Sequence, residues 1–160
     1  MHEKYVLNQA KVIEMNQKDL IILRLLRTNA RMSLTKISRR TNIPVSTIFD
    51  RLKFHERNLI KKHTCLLDFA KLGYNTTAKI VLRVEREDRQ PLKEFLMKHT
   101  SVNSVYKITN GFDFMVEGIF RQVSDLEEFV EQLETKFKIQ DKKYFFILEE
   151  IKREAFLSGS

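Results

Sequence analysis

The sequence predicts an α+β protein: a basic three-helix unit, a connecting strand, and a second unit in which strands and helices alternate as βαββαβ. Three observations carry this expectation. Apolar residues recur at helical spacing as far as about residue 60, and alternating, strand-like runs appear only beyond it. The basic excess is one-sided, with 15 Lys and Arg against 6 Asp and Glu in residues 1–73, and 14 against 15 in residues 74–160. Asn110-Gly111 lies between two alternating runs, the strongest short-range hairpin signal, because both central residues of such a turn need positive φ. A chain of 160 residues accommodates one domain or two small ones. We divide it into an N-terminal arm (1–15), a three-helix unit (16–60), a linker strand (61–74), a βαββαβ unit (75–150) and a tail (151–160).

The arm reads as a short helix or a loose segment anchored by Tyr5, Val6 and Leu7. Asn16 then opens the first helix, with Asp19 placing a carboxylate at its positive end. Ile22, Leu23, Leu26 and Ala30 form its apolar stripe. Ser33 is the next N-cap, for a short helix that turns Leu34, Ile37 and Ser38 inward and leaves Arg39 and Arg40 outside. Asn42 is the expected left-handed turn residue. Pro44 pre-sets the first-turn φ of a third helix that runs to about Asn58, with Ile48, Leu52 and His55 inside.

Ile60–Leu67 alternates as a strand and stops at Leu72-Gly73. In residues 76–86, Ala78, Ile80, Leu82 and Val84 share one face, opposite Lys79, Arg83 and Glu85. A helix over 90–99 carries Leu92, Phe95, Leu96 and His99 on one stripe. Val102–Thr109 and Phe112–Phe120 are the hairpin strands. Ser124 and Glu127 read as a capping box for a helix bearing Leu126, Phe129, Val130, Leu133 and Phe137. The last strand spans 141–148. This order is that of a split-βαβ, ferredoxin-like sandwich. Phe112, Phe114 and Val116 are expected to face the helices. The opposite sheet face, with Val81, Met115, Ile119, Phe145 and Ile147, is apolar as well. It predicts a homodimer through the sheets, extending to a tetramer or octamer, with the N-terminal segment as the alternative cover.

Composition narrows the function classes. One cysteine, Cys65, excludes an internal disulfide framework. No apolar run reaches the ~20 residues that span a bilayer. No secretory leader is visible at the start, so a cytoplasmic location without membrane contact is expected. His2, His55, His63 and His99 are scattered, and neither a metal-ligand spacing nor a glycine-rich phosphate loop is present. No catalytic residues, metal or cofactor are therefore assigned. A one-sided basic unit with short helix-turn-helix spacing points instead to double-stranded DNA, because Lys and Arg on phosphates release condensed counterions. Ser46, Thr47, Asp50, Arg51 and Lys53 on the outer face of the third helix are the candidate contacts, with Arg39 and Arg40 on flanking phosphates. The surface of an ordinary three-helix bundle is the alternative reading of the same residues.

Residues 63–74, His-Thr-Cys-Leu-Leu-Asp-Phe-Ala-Lys-Leu-Gly-Tyr, resemble the linker of the Lrp/AsnC transcription regulators, approximately Y-T-A-L-L-D-P-x-K-L-G-Y. With the order of the units, the resemblance covers roughly residues 16–150. It implies sequence-selective DNA binding by a dimer or higher oligomer, with the C-terminal unit handling assembly and often sensing an amino acid. The family's effector loop reads Thr-Gly-x-x-Asp, which places a candidate effector set at Thr109, Asn110, Gly111 and Asp113. Here the glycine is one place along, and turn chemistry explains Asn110-Gly111 without a ligand. The family also closes its recognition helix with Leu-Glu and a glycine. This chain has His55-Glu56 and then Asn58, which is expected to take the glycine's role. Two other readings share these features. One is an architectural DNA-compacting protein. The other is an enzyme similar to the siroheme decarboxylases, disfavoured because VYKITNGFDFMVEG (105–118) carries one Lys and no His or Arg.

Overall fold

The computed structural model describes residues 12–158, so the expected anchors Tyr5, Val6 and Leu7 lie outside the described residues. The described residues form two compact units, 12–65 with 152–158, and Leu66–Ile151.

The first unit holds α1 (Gln17–Thr28), α2 (Leu34–Thr41) and α3 (Val45–Asn58). Asn16 and Asp19 form a reciprocal capping box, each side chain accepting the other's backbone N–H. Ser33 caps α2 by accepting the Lys36 N–H at 3.3 Å. Asn42 ends α2 at φ 56°, the left-handed region that an Asn side chain tolerates. Pro44 sits at the N-cap of α3, one place before the first turn. Ile22, Met32, Ile37, Ile43 and Ile48 pack the core. Ala30 is not part of it: α1 stops at Thr28, and Ala30 is exposed in the following turn. Asn58 departs from expectation too. It remains helical, and its Nδ2 donates to the Phe54 carbonyl at 2.7 Å, so α3 closes without a left-handed residue. The tail packs on α1, where Arg27 donates to the carbonyls of Phe156 (3.1 Å) and Glu154 (2.7 Å).

Ile60–Leu67, expected as the strand of the 61–74 linker, carries no ladder hydrogen bonds among the described residues. An alternating sequence supplies the pleat, but a strand also needs a partner edge. A 3-10 turn, Ala70–Leu72, follows and closes at Gly73 with φ 86°. The second unit then runs β1 (Thr76–Val84), α4 (Arg89–Lys98), β2 (Val102–Lys107), β3 (Phe114–Phe120), α5 (Val123–Lys136) and β4 (Ile139–Phe146). The antiparallel sheet has the order β2-β3-β1-β4, that of the ferredoxin-like sandwich. Ala78, Ile80, Leu82 and Val84 meet Leu92, Leu96, Leu126, Phe129 and Leu133 in the core. α5 starts one residue before Ser124, with Gln122 at the N-cap and no side-chain cap bond, so the expected Ser124–Glu127 capping box does not form.

Phe114 and Val116 point into the core, whereas the Phe112 ring lies 5.5 Å from Lys143 Nζ, opposite Val81 on the other face. Phe112 precedes β3, so strand alternation does not govern it. On that other face Val81 and Ile119 are already buried, and Lys79 and Glu117 form an ion pair with Asn103 bonded to the same carboxylate. Exposed apolar surface concentrates instead at the end of β4. Tyr144, Phe145, Phe146, Ile147 and Leu148 follow one another there, from 38% exposed at Ile147 to 97% at Leu148.

Candidate functional site

α3 turns Ile48 and His55 inward, so helical periodicity fixes what its opposite face displays. Ser46, Asp50 and Lys53 are exposed there and Thr47 is half-buried. Two residues that the sequence reading passed over share this surface: Arg57, one turn beyond Lys53, and Phe49, 53% exposed with Lys53 Nζ 6.0 Å from its ring centroid. Their spacing of three, four and seven residues from Ser46, Asp50 and Lys53 was the available signal. Arg39 and Arg40 are exposed in the last turn of α2. Asp50 is the lone carboxylate among them. It repels phosphate and accepts only from a base amino group such as cytosine N4.

Arg51 has a different position. It lies on the flank of the buried stripe, and its Nη1 sits 2.7 Å from Asp19 Oδ1 on α1. His55 Nε2 approaches the same oxygen at 3.0 Å. Arg51 and His55 thus lock α3 to α1 through one carboxylate. Burial by itself raises the Asp19 pKa. The Arg51 hydrogen bond, the Asn16 N–H, the His55 hydrogen bond and the Arg51 charge outweigh it and hold the group below the usual aspartate value of 3.8. His55 Nδ1 and Arg51 Nε are buried without a hydrogen-bond partner among the described residues.

At the β2–β3 hairpin, Asn110 (φ 62°) and Gly111 (φ 86°) make the expected turn. Thr109, Asn110 and Gly111 are exposed at its apex. Asp113 is apart from them and buried. Its Oδ2 accepts the Val84 N–H at 3.0 Å, and its Oδ1 pairs with Arg89 Nε at 2.8 Å. Its backbone N–H donates to Leu82 O (2.8 Å), and its carbonyl accepts from Ile108 (3.0 Å). The Asp113 carboxylate therefore braces the hairpin against β1 and α4. Among the described residues no group of three or more His, Cys, Asp or Glu side chains is placed to hold a metal, and no helix is long and apolar enough to cross a membrane.

Comparison with known proteins finds two matching regions. Residues 15–54 match the winged helix-turn-helix DNA-binding family, and residues 77–156 match the Lrp/AsnC ligand binding domain. An HTH-type transcriptional regulator of Pyrococcus horikoshii is 31% identical over 135 residues, 84% of this chain and 84% of the relative. One from Pyrococcus furiosus is 30% identical over 122 residues, 76% of this chain and 82% of the relative. The fold is shared with a Neisseria meningitidis transcriptional regulator solved in complex with L-Met, at TM-score 0.82 and 23% identity, covering 88% of this chain and 94% of the other. It is shared equally with E. coli AsnC, at TM-score 0.79 and 18% identity, covering 88% and 97%.

Proposed function

The chain belongs to the Lrp/AsnC family and is a DNA-binding transcriptional regulator rather than an enzyme, and from that premise we propose that α3 reads double-stranded DNA in the major groove. The observation that carries this is the outward row Ser46, Lys53 and Arg57, exposed beside Arg39 and Arg40 on the unit that holds the basic excess. Ser46 and Thr47, at the start of the helix, reach base edges or phosphates, Lys53 and Arg57 reach phosphates, and Phe49 offers an apolar surface for a thymine methyl. Arg51 acts indirectly, by fixing the angle of α3 on α1.

The apolar run Tyr144–Leu148 at the free edge β4 supports assembly through the second unit as a homodimer or a larger ring. Two α3 helices would then face half-sites one or more turns of about 34 Å apart. An amino-acid effector held by the hairpin apex, Thr109, Asn110 and Gly111, with Asp113 bracing that loop from behind, is the reading that the Neisseria complex suggests for this chain. The protein would work in the cytoplasm.

The test is footprinting on the DNA upstream of its own gene, in excess random competitor at two salt concentrations. Protection that survives competitor supports a sequence-specific regulator, and Lys53→Ala should lower the salt slope by about 1. Protection lost uniformly as salt rises favours a compacting protein instead. Absence of any DNA binding overturns the reading.

A further inference from the structure

We propose that the cleft between α4 and β2 binds a small anion carrying two or more negative charges, with Arg86, Arg89, Lys93 and Lys107 as its cationic rim. The cleft encloses about 600 Å³, within the range of small-molecule sites, which run ~300–1,000 Å³. Leu96, Val102 and Phe114 supply apolar wall. Asp113 is the one carboxylate in the lining, and it already has Arg89 at 2.8 Å and the Val84 N–H at 3.0 Å. Arg86, Lys93 and Lys107 form no ion pair among the described residues. Elsewhere in the same unit Lys79 and Lys142 are each matched by a glutamate, while Lys98, Lys138 and Lys143 form no ion pair among the described residues. Convergence on one concave space is what sets the cleft cations apart.

Three unmatched cations converging on one concave, partly apolar space raise its potential and concentrate counter-ions there. The first turn of α4, at Arg89 and Gln90, adds the positive end of a helix on the same side. A zwitterionic amino acid carries no net charge and would leave these cations unbalanced. A di- or trianion balances them, and a carboxylate or phosphate group accepts two parallel hydrogen bonds from an arginine. The site is separate from the hairpin apex, since none of Thr109, Asn110 and Gly111 lines it. Arg89 connects the two, because a ligand drawing Arg89 away from Asp113 loosens the brace behind the hairpin. This inference goes beyond the DNA-binding reading and does not depend on it.

The experiment is calorimetric titration of the full-length protein with citrate and, separately, with pyrophosphate, at constant ionic strength. We expect saturable binding of at least one of them, weakened about tenfold or more by Lys93→Ala and by Arg86→Ala, since a charge-assisted hydrogen bond is worth ~1.5–3 kcal/mol. Lys18→Ala, on exposed α1 surface, should leave it unchanged. Citrate alone identifies a polycarboxylate ligand, pyrophosphate alone a phosphorylated one, and binding of both a site selective for charge. Thermal unfolding of each variant establishes that it is folded, and footprinting of Lys93→Ala separates this result from the fate of the DNA-binding reading. No saturable binding of either anion overturns the proposal. So does binding that survives both cleft substitutions, which would place the anion on the DNA-reading face.

Discussion

Replacing Asp19 with alanine removes the carboxylate that α1 and α3 share, and the structure sets the size of the effect. The side chain is 9% exposed. It accepts hydrogen bonds from Arg51 at 2.7 Å, His55 at 3.0 Å and the Asn16 N–H at 3.1 Å. Breaking one partner out of a buried ion pair costs ~3–5 kcal/mol, because the other charge is left unpaired. Arg51 is 29% exposed and regains part of its hydration, which takes the estimate to the lower end. Asn16 still caps α1 through the residue-19 N–H, but the reciprocal bond from the Asn16 N–H is lost and adds back ~0.5–1.5 kcal/mol. We therefore expect Asp19→Ala to cost about 3–4 kcal/mol in urea unfolding at neutral pH, followed by far-UV circular dichroism of the whole chain.

Asp19→Ala combined with Arg51→Met and His55→Leu should cost much less than the sum of the separate substitutions, because no buried charge is then stranded. The pH dependence has a definite sign. The folded Asp19 pKa lies below the unfolded 3.8, so the folded state releases this proton first. Its stabilisation is complete above the unfolded value and is lost as pH falls through the lower folded one. The gap between wild type and Asp19→Asn should accordingly narrow below about pH 4. A cost for Asp19→Ala under about 1 kcal/mol, or strict additivity in the triple variant, would refute the account of this cluster.

Three further outcomes are expected. Burial, and then the Lys136 charge, hold the His99 pKa below 6.5, and its Nδ1 accepts the Ser101 N–H at 3.2 Å, a bond the protonated ring cannot keep. Stability from this group is complete above pH 6.5 and declines as pH falls through the lowered value, so His99→Phe should flatten the difference between thermal melts at about pH 7.5 and about pH 5. A Cβ at Gly118 would lie 2.4 Å from Cε2 of the buried Phe120 ring. Gly118→Ala should thus cost ~1–3 kcal/mol in urea unfolding, as overpacking does. Asn110 sits at φ 62°. Asn110→Gly should leave stability within ~0.5 kcal/mol, whereas Asn110→Val should lose ~1–2 kcal/mol by the same measurement.

What was legible in the sequence was mostly local. Asn16 with Asp19, Ser33 and Asn42 announce helix ends through short-range hydrogen bonding, and each does so in the structure. Alternation in Ala78–Val84 and the Asn110-Gly111 turn specify the sheet, because one buried face fixes the register. The features that escaped depend on partners distant in sequence or on competition between local options. Arg51 has the spacing of a groove contact, and spacing gives no sign of its bond to Asp19, 32 residues earlier. Ser124 has the spacing of a capping box, yet α5 begins a residue earlier and Gln122 occupies the N-cap. Ile60–Leu67 has the alternation of a strand and, among the described residues, no strand paired with it. On α3, Arg57 and Phe49 were legible by spacing alone.

The pair Lys79–Glu117, held with Asn103 at the middle of the sheet face away from the helices, bears on which molecule can lie against that face. An apolar sheet tolerates many partners and several registers, since sliding one surface over another costs little when every contact is alike. A polar triad at the centre removes this freedom. Glu117 is already buried, so a covering surface that offers no acceptor acts chiefly on Lys79, removing the 30% of its side chain that still meets water. One that supplies an acceptor there offsets most of that loss. The ion pair would therefore add little to the strength of any association through this face and much to its selectivity, because Val81 and Ile119 around it are already buried and the polar triad is what a covering molecule must match.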